Sequence, residues 1–358
     1  MMKGRTIFAA IALGAVIVAS GVTYAAVTSL RSADTTSNAA PNAAVDLSSF
    51  NANPAGSVLL ESDLSGRGSA MVVLRISRNQ VMYEITWAGM TPPTNMPMLQ
   101  GNGKMALNLM PNAMPGSINA IAGVISLNNT GLLNGLLGNP GGFRMMMATP
   151  QFPGGAVNGV FRRINSFDFN RILHVGSMVS VNSGDQVVPQ NGVAGDMNAH
   201  ATVFVGPGMN TTSLNYSAIW TGVNSPTALN VNVGAAGMVG NLVAALFQAP
   251  RGLNPTIIAV AGTVPNVSAR WIAQLRANPM AFHTSLVAGR FIAGAARGQL
   301  FVPGSGTMMT MPTTTMPRPT MTMTQPTTPT MRPPTTTMSQ PTMPGGGPVT
   351  GTQAPPHW

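Results

Sequence analysis

Apolar and polar residues alternate with a period of two in several stretches of this chain, and two of those stretches match. In "VMYEITWAG", Val81, Tyr83, Ile85 and Trp87 alternate with Met82, Glu84 and Thr86. In "LNYSAIWTG", Leu214, Tyr216, Ala218 and Trp220 hold the corresponding face, opposite Asn215, Ser217 and Thr221. Such a period predicts strands with one face turned to a core. Both carry Tyr-x3-Trp-x-Gly, which uses two of the chain's three Tyr and two of its four Trp. The preceding runs "AMVVLRIS" at 70–77 and "HATVFVG" at 200–206 also match. Inward-facing Tyr and Trp suit a β-sandwich core, where their rings bury large areas and their polar ends find partners.

The correspondence extends to "FRMMMATPQFPGGAVNGVF" at 143–161 and "PMAFHTSLVAGRFIAGAARGQLF" at 279–301. The offset grows from 133 at Tyr83/Tyr216 to 139 at Gly159/Gly298, as a loop insertion in the second copy would produce. Between these ends each copy holds one short helix candidate, "TGLLNGLLG" at 130–138 and "SARWIAQLRANP" at 268–279. The predicted fold class is all-β: two tandem Ig-like, Greek-key β-sandwiches of barrel-like form, at 57–163 and 164–302. A disordered Thr/Pro/Met-rich stalk follows at 303–358, where low complexity precludes a packed core. Residues 31–56 read as a linker. Residues 1–30 pair Lys3 and Arg5 with a long apolar run, which reads as a secretory signal peptide or as a signal-anchor. Cleavage is the preferred reading, and both place the bulk of the chain outside the cytoplasm.

Composition narrows the chemistry. Only 7% of residues are charged, and the net charge of +10 reflects eight acids against eighteen scattered bases. A nucleic-acid surface needs those bases clustered, so none is expected. The absence of Cys removes disulfides and thiolate chemistry. No acid follows Asp196, so most of the second copy has no carboxylate for acid/base work. The four His, at 174, 200, 283 and 357, have no metal-ligand spacing. An enzyme is not expected, and no cofactor or metal is assigned. The 27 Met are the one chemical excess. They suit core filling, or, as an alternative, soft coordination of copper by "RMMMA" and the tail. Four Asn-x-Ser/Thr sequons, at Asn128, Asn210, Asn215 and Asn266, are candidate N-glycosylation sites.

The second copy resembles the CHRD domain, a family first described in chordin, across nearly its whole length. "VNSGDQVVPQNGVAG" is similar to the family's opening through Gly184, Val188 and Pro189. His283-Thr284 falls on its Val-His-Thr stretch, and Arg297, Gly298, Gln299 and Leu300 on its closing motif. The first copy keeps Phe152-Pro153-Gly154-Gly155 and Gly159, with Tyr83, Trp87 and Gly89 matching Tyr216, Trp220 and Gly222. Where the family has His-Ile-His, the copies have Asn230-Val231-Asn232 and Pro97-Met98-Leu99; its closing Glu is Ala295 or Ala156. The resemblance implies an Ig-like β-barrel in an extracellular setting, without a defined reaction. The expected function is therefore an exported or membrane-anchored interaction and structural protein. Its expected partner is an extracellular protein, matrix or glycan component, with copper binding or redox support as the alternative.

Overall fold

The predicted strand at Tyr83 lies inside an antiparallel ladder. β1 (Val58–Gly66) pairs with β2 (Gly68–Ser77), β2 with β3 (Gln80–Ala88), and β3 with β6 (Ile118–Ser126). On its other edge β1 pairs with β8 (Val157–Val160) and β9 (Arg162–Ile164). From β8 the ladder continues through β7 (Phe143–Met147) and β4 (Met96–Gln100) to β5 (Met105–Met110). This is a computed structural model, and it describes residues 54–303 apart from 174–175, 190–192 and 290. The leader at 1–30, most of the 31–56 linker and the stalk beyond 303 lie outside the described residues.

The second half repeats these pairings strand for strand. β10 (Met178–Ser183), β11 (His200–Pro207), β12 (Leu214–Thr221) and β15 (Ile257–Val264) form one run. β17 (Phe291–Phe301), β16 (Phe282–Ala288), β13 (Pro226–Val233) and β14 (Asn241–Gln248) form the other, with β10 joined to β17. One short helix sits in each half. In α1 (Thr130–Gly138), Asn129 Oδ1 accepts from Leu132 N at 3.0 Å and caps the helix. In α2 (Ala269–Ala277), Ile272 and Leu275 turn inward, and Trp271 meets Phe282 edge-on at 6.1 Å. Each helix stops at an Asn followed by Pro, Asn139-Pro140 and Asn278-Pro279, where proline disfavours helical geometry in the residue before it.

Apart from these helices and a few 3-10 turns the described residues are all-β, and the two curled halves share one continuous sheet. Tyr83, Trp87, Tyr216 and Trp220 all lie in the interior core, as their alternation predicts. Methionine fills much of the first interior: Met98 stands directly opposite Met145, and Met96 opposite Met110, all fully buried. The glycine closing Tyr-x3-Trp-x-Gly ends the strand in a left-handed turn, with φ of 70° at Gly89 and 72° at Gly222. That turn is why Gly recurs with the aromatics.

The halves join edge to edge through β6 and β15. Ile257 pairs with Gly123 and Gly262 with Ile118; Ala259 pairs with Ala122 and Ala261 with Ala120; Val260 faces Ile121. With the offset of 139, every one of these pairs maps onto its counterpart, so the seam is isologous about an axis through Ile121 and Val260. Contacts beside it obey the same symmetry. Val124 N donates to Thr256 O and Thr263 N to Ser117 O, each at 2.9 Å. Tyr83 Oη lies 2.9 Å from Thr256 Oγ1, and Tyr216 Oη donates to Ser117 O at 3.4 Å. Each repeated Tyr therefore reaches from its own barrel into the other, and burial pushes its phenol up, to about 12 for Tyr83 and further for Tyr216. The seam has no room for side chains at its glycines: a Cβ on Gly123 would stand 2.3 Å from Thr256 O, and one on Gly262 1.8 Å from Ser117 O.

The segment between the halves covers the outer face of this seam. Phe169, Ile172 and Leu173 form a second core with Leu59, Val73 and Met82 from the first half and Val179, Phe204 and Ile219 from the second. Ala120, Ala122, Ala259 and Ala261 lie beneath, small enough to admit the larger side chains. Ser217 Oγ donates to Leu173 O at 2.7 Å, and the Arg75 guanidinium sits 5.0 Å above the Phe169 ring. Arg171 stacks on Phe167 at 4.4 Å and donates from Nε to Glu84 Oε1 at 2.6 Å. Glu84 is buried with its second oxygen unpartnered. Burial raises its pKa to about 8, although Arg171 pulls the other way.

Two predictions arise here. Gly262→Val forces a side chain into the Ser117 carbonyl and lowers unfolding free energy by at least about 2 kcal/mol. Gly138→Ala, which meets nothing within 4 Å, leaves the denaturant midpoint close to wild type. For Glu84 the folded pKa lies above the ordinary carboxylate value, so its stabilising contribution is full below about pH 4.5 and is lost as pH rises through about 8. Melting temperatures at pH 6.5–8.5 fall for the wild type and stay flatter for Glu84→Gln; equal slopes would show a carboxylate that ionises in place without cost.

Candidate functional site

Cross-strand register gathers polar residues on the outer face of the second half. His200, Ser183, Arg297, Ser285 and Asn230 stand opposite one another in turn across β11, β10, β17, β16 and β13. In the adjoining row Gln299 faces His283, and His283 faces Asn232. The hairpin turn 234–240 covers these rows. Arg297 Nη2 donates to Ala235 O at 3.0 Å and lies 3.3 Å from His283 Nδ1, which is 3.2 Å from Gly234 O. Gln299 Nε2 donates to Gly234 O at 2.9 Å and Met280 O at 2.6 Å; Asn232 Nδ2 donates to Ser285 Oγ at 3.0 Å. His200 Nδ1 and Asn230 Oδ1, toward the two ends of the row, are buried without a partner.

This arrangement holds a loop and is ill suited to a metal ion. Burial and then the Arg297 charge lower the His283 pKa to about 4, against the opposing Gly234 bond. The imidazole stays neutral at ordinary pH chiefly because it is buried, and the guanidinium that adds to this effect also repels a cation. Thr284 points the other way, into the barrel, with Oγ1 3.0 Å from Ser180 Oγ and 2.9 Å from Asn182 Oδ1. Among the described residues no three His, Asp or Glu come together in a way that could hold a metal.

A different site opens at one end of the first half. A cleft of about 610 Å³ is lined by Arg67, Gly89, Met90, Thr91, Thr149, Gln151 and Phe152. The Arg67 guanidinium sits 5.4 Å above the Phe152 ring. Thr91 Oγ1 donates to Gln151 Oε1 at 3.2 Å, and the buried Thr149 hydroxyl accepts from Phe152 N at 3.3 Å. Arg67 occupies the tip of the β1–β2 hairpin, where its N–H donates to Ala156 O at 2.8 Å. Its flanking glycines allow that approach, since a Cβ on Gly66 would stand 2.4 Å from the same oxygen. The acids nearest in sequence, Glu61 and Asp63, pair with Arg162.

A family model, that of the CHRD domain, matches residues 45–161. The chain carries a CHRD domain. No curated protein matches the chain. The CHRD match spans the whole cleft and ends at Phe161, one residue short of β9.

The motif residues of the CHRD domain and of the second half fall into distinct places. Tyr83, Trp87, Tyr216 and Trp220 are core; Gly89 and Gly222 are strand-closing turns. Gly159 and Gly298 occupy equivalent close crossings, where a Cβ would stand 2.1 Å from Asp63 O and 2.2 Å from Val181 O. Gly154 lies in an open turn beside the cleft residue Phe152, and Gly155 takes φ 118° against Met146. His283, Arg297 and Gln299 come together under the 234–240 turn, with Asn232 at the position of the family's second His. The CHRD domain has Arg144, Asn158, Val160 and Leu99 at these four places, and its shorter hairpin turn, 101–104, leaves Val160 exposed. Of the sequon residues, Asn128, Asn210 and Asn266 are exposed, while Asn215 Oδ1 accepts from Thr263 Oγ1 at 2.9 Å. His174 and His357 lie outside the described residues. Sequence reasoning passed over Arg67, Thr91 and Gln151; the available signal was "SGRGS" at 65–69, a lone base between glycines.

His283 makes stability depend on pH in the acid range. Its folded pKa lies below that of the unfolded chain, so its contribution is full above about pH 6.5 and is lost as pH falls toward about 4. The stability difference between wild type and His283→Gln should shrink steadily across that interval in denaturant titrations. A constant difference would mean the imidazole is not held neutral.

Proposed function

We propose that this protein is an extracellular, non-catalytic interaction and structural module, built from a CHRD domain and a second, divergent CHRD-like barrel. The observation that carries this reading is the pairing of one CHRD match with a second half that repeats its strand pairings across an isologous seam. Two barrels locked by that seam and by Phe169, Ile172 and Leu173 of the connecting segment present their loops at fixed spacing, as a scaffold for binding does. The charged groups nearest to chemistry are engaged in packing: Glu84 with Arg171, and His283 with Arg297. The exposed sequons Asn128, Asn210 and Asn266 fit glycan attachment in an exported chain. Among the described residues no helix is long and apolar enough to cross a membrane.

Copper handling is the second reading, and the fold weighs against it where it can be weighed. Met145 and Met147 of "RMMMA" are core residues, and His283 has a guanidinium beside it. Of the two Met-rich segments, that leaves the one beyond 303 as the copper candidate. The labelled full-length secreted chain should bind saturably to extracellular-matrix, cell-surface or isolated glycan preparations, with elemental analysis of the same sample reporting substoichiometric copper. Failure to bind all three preparations would overturn the interaction reading, and stoichiometric copper would favour the second.

A further inference from the structure

We infer that the Arg67 cleft of the CHRD domain is a binding site for an acidic glycan, recognising a carboxylate or sulfate group on a sugar. This rests on the interaction reading above and names the chemistry of its partner. The polar side chains of the cleft are arranged as donors. Stacking on Phe152 holds the Arg67 guanidinium in place, and its planar fork matches an oxyanion in two-pronged geometry. The Thr91 hydroxyl occupies the carbonyl oxygen of Gln151, which leaves the Gln151 amide N–H groups to face the cleft. Thr149 Oγ1 already accepts from Phe152 N, so its hydroxyl hydrogen is the part left to give. No carboxylate lines the cleft, and Glu61 and Asp63 are engaged by Arg162.

Three donor groups of different kinds around a partly exposed aromatic ring select an anion that also carries hydroxyls and an apolar face. A sugar acid or sulfated sugar has all three. An acidic peptide offers the charge without the hydroxyl array. The volume of about 610 Å³ lies within the range of small-ligand sites, roughly 300–1,000 Å³. The preformed hairpin tip means little ordering is needed on binding.

The test is affinity electrophoresis and calorimetry of the full-length protein against four polymers: a uronic-acid polysaccharide, a sulfated glycosaminoglycan, a neutral polysaccharide and polyglutamate. Binding to one or both acidic glycans, weakening with salt, is expected, with the preferred one identifying carboxylate or sulfate as the recognised group. Arg67→Ala should weaken that binding at least tenfold and Gln151→Ala several-fold, both with unchanged melting temperature, while Arg251→Ala, an exposed charge elsewhere, has no effect. Equal loss in Arg67→Ala and Arg251→Ala would show attraction by net charge alone and overturn the site. Polyglutamate binding as tight as the glycans would overturn the sugar assignment. If the wild type ignores all four polymers yet still binds matrix or cells, the cleft inference fails and the interaction reading stands; if it binds nothing at all, both fail.

Discussion

The β6–β15 pairing is the constraint on which the rest of this structure depends. Each barrel taken alone would end in an open strand edge, with unpaired N–H and C=O groups ready to recruit another chain. Here each edge satisfies the other, in a register that reproduces itself under exchange of the halves. The pairing also sets two outer sheet faces side by side, and those faces are apolar at Leu59, Val73, Met82, Val179, Phe204 and Ile219. Such a surface requires a cover. The connecting segment supplies it with Phe169, Ile172 and Leu173, so one short connection both links the barrels and completes a core that neither holds alone. Glu84 is the cost of that cover: Arg171 reaches it, but the segment also strips water from an oxygen that nothing else satisfies.

Symmetry is kept at the seam, in the Tyr-x3-Trp-x-Gly strands and at the Gly159 and Gly298 crossings, and lost on the outer rows. At the seam the copies agree in Tyr83 and Tyr216, in the paired alanines, and in Gly123 and Gly262. On the outer rows across β4, β7 and β8 they diverge completely. The second half spends Arg297, His283 and Gln299 on tying down a longer turn, and those groups are consumed by the carbonyls of Gly234, Ala235 and Met280. The CHRD domain has no such cluster and a shorter turn. Its Arg67 guanidinium stands instead at the β1–β2 tip, stacked on Phe152 beside a cleft. The second half thus uses the polar side chains of its outer rows to tie down a turn, and the first leaves Arg67 at a cleft.

The strands and both helices were legible because their signals are local. Period-two alternation marked β3 and β12, and the short runs "TGLLNGLLG" and "SARWIAQLRANP" marked α1 and α2. The growth in offset correctly implied an insertion, and the longer turn at 234–240 accounts for part of it. The seam was not legible from the same reasoning. β6 and β15 are buried on both faces, so alternation is blurred, and their partnership spans well over a hundred residues. A trace was present in "AIAG" at 120–123 and "AVAG" at 259–262, where small residues recur beside a glycine without turn chemistry. The segment 165–177 likewise reads as loop in isolation, because its apolar residues find their partners only once two barrels stand side by side. Arg67 was hidden for a simpler reason. A single arginine has no pattern, and only the fold brings Phe152 to its side.

The internal symmetry also explains why both copies can differ so far without losing the assembly. Two separate chains meeting through this seam would form a homodimer whose stability depended on concentration, and every substitution would appear twice. Fusion through the 165–177 segment makes the encounter intramolecular and raises the effective concentration of one edge for the other. A substitution on one barrel's outer rows then changes one surface only. The seam residues, whose close backbone contacts tolerate no added Cβ at Gly123 or Gly262, remain bound to the symmetric solution. Everything distant from the axis is free to specialise, and the unlike fates of His283 and Arg67 follow from that freedom.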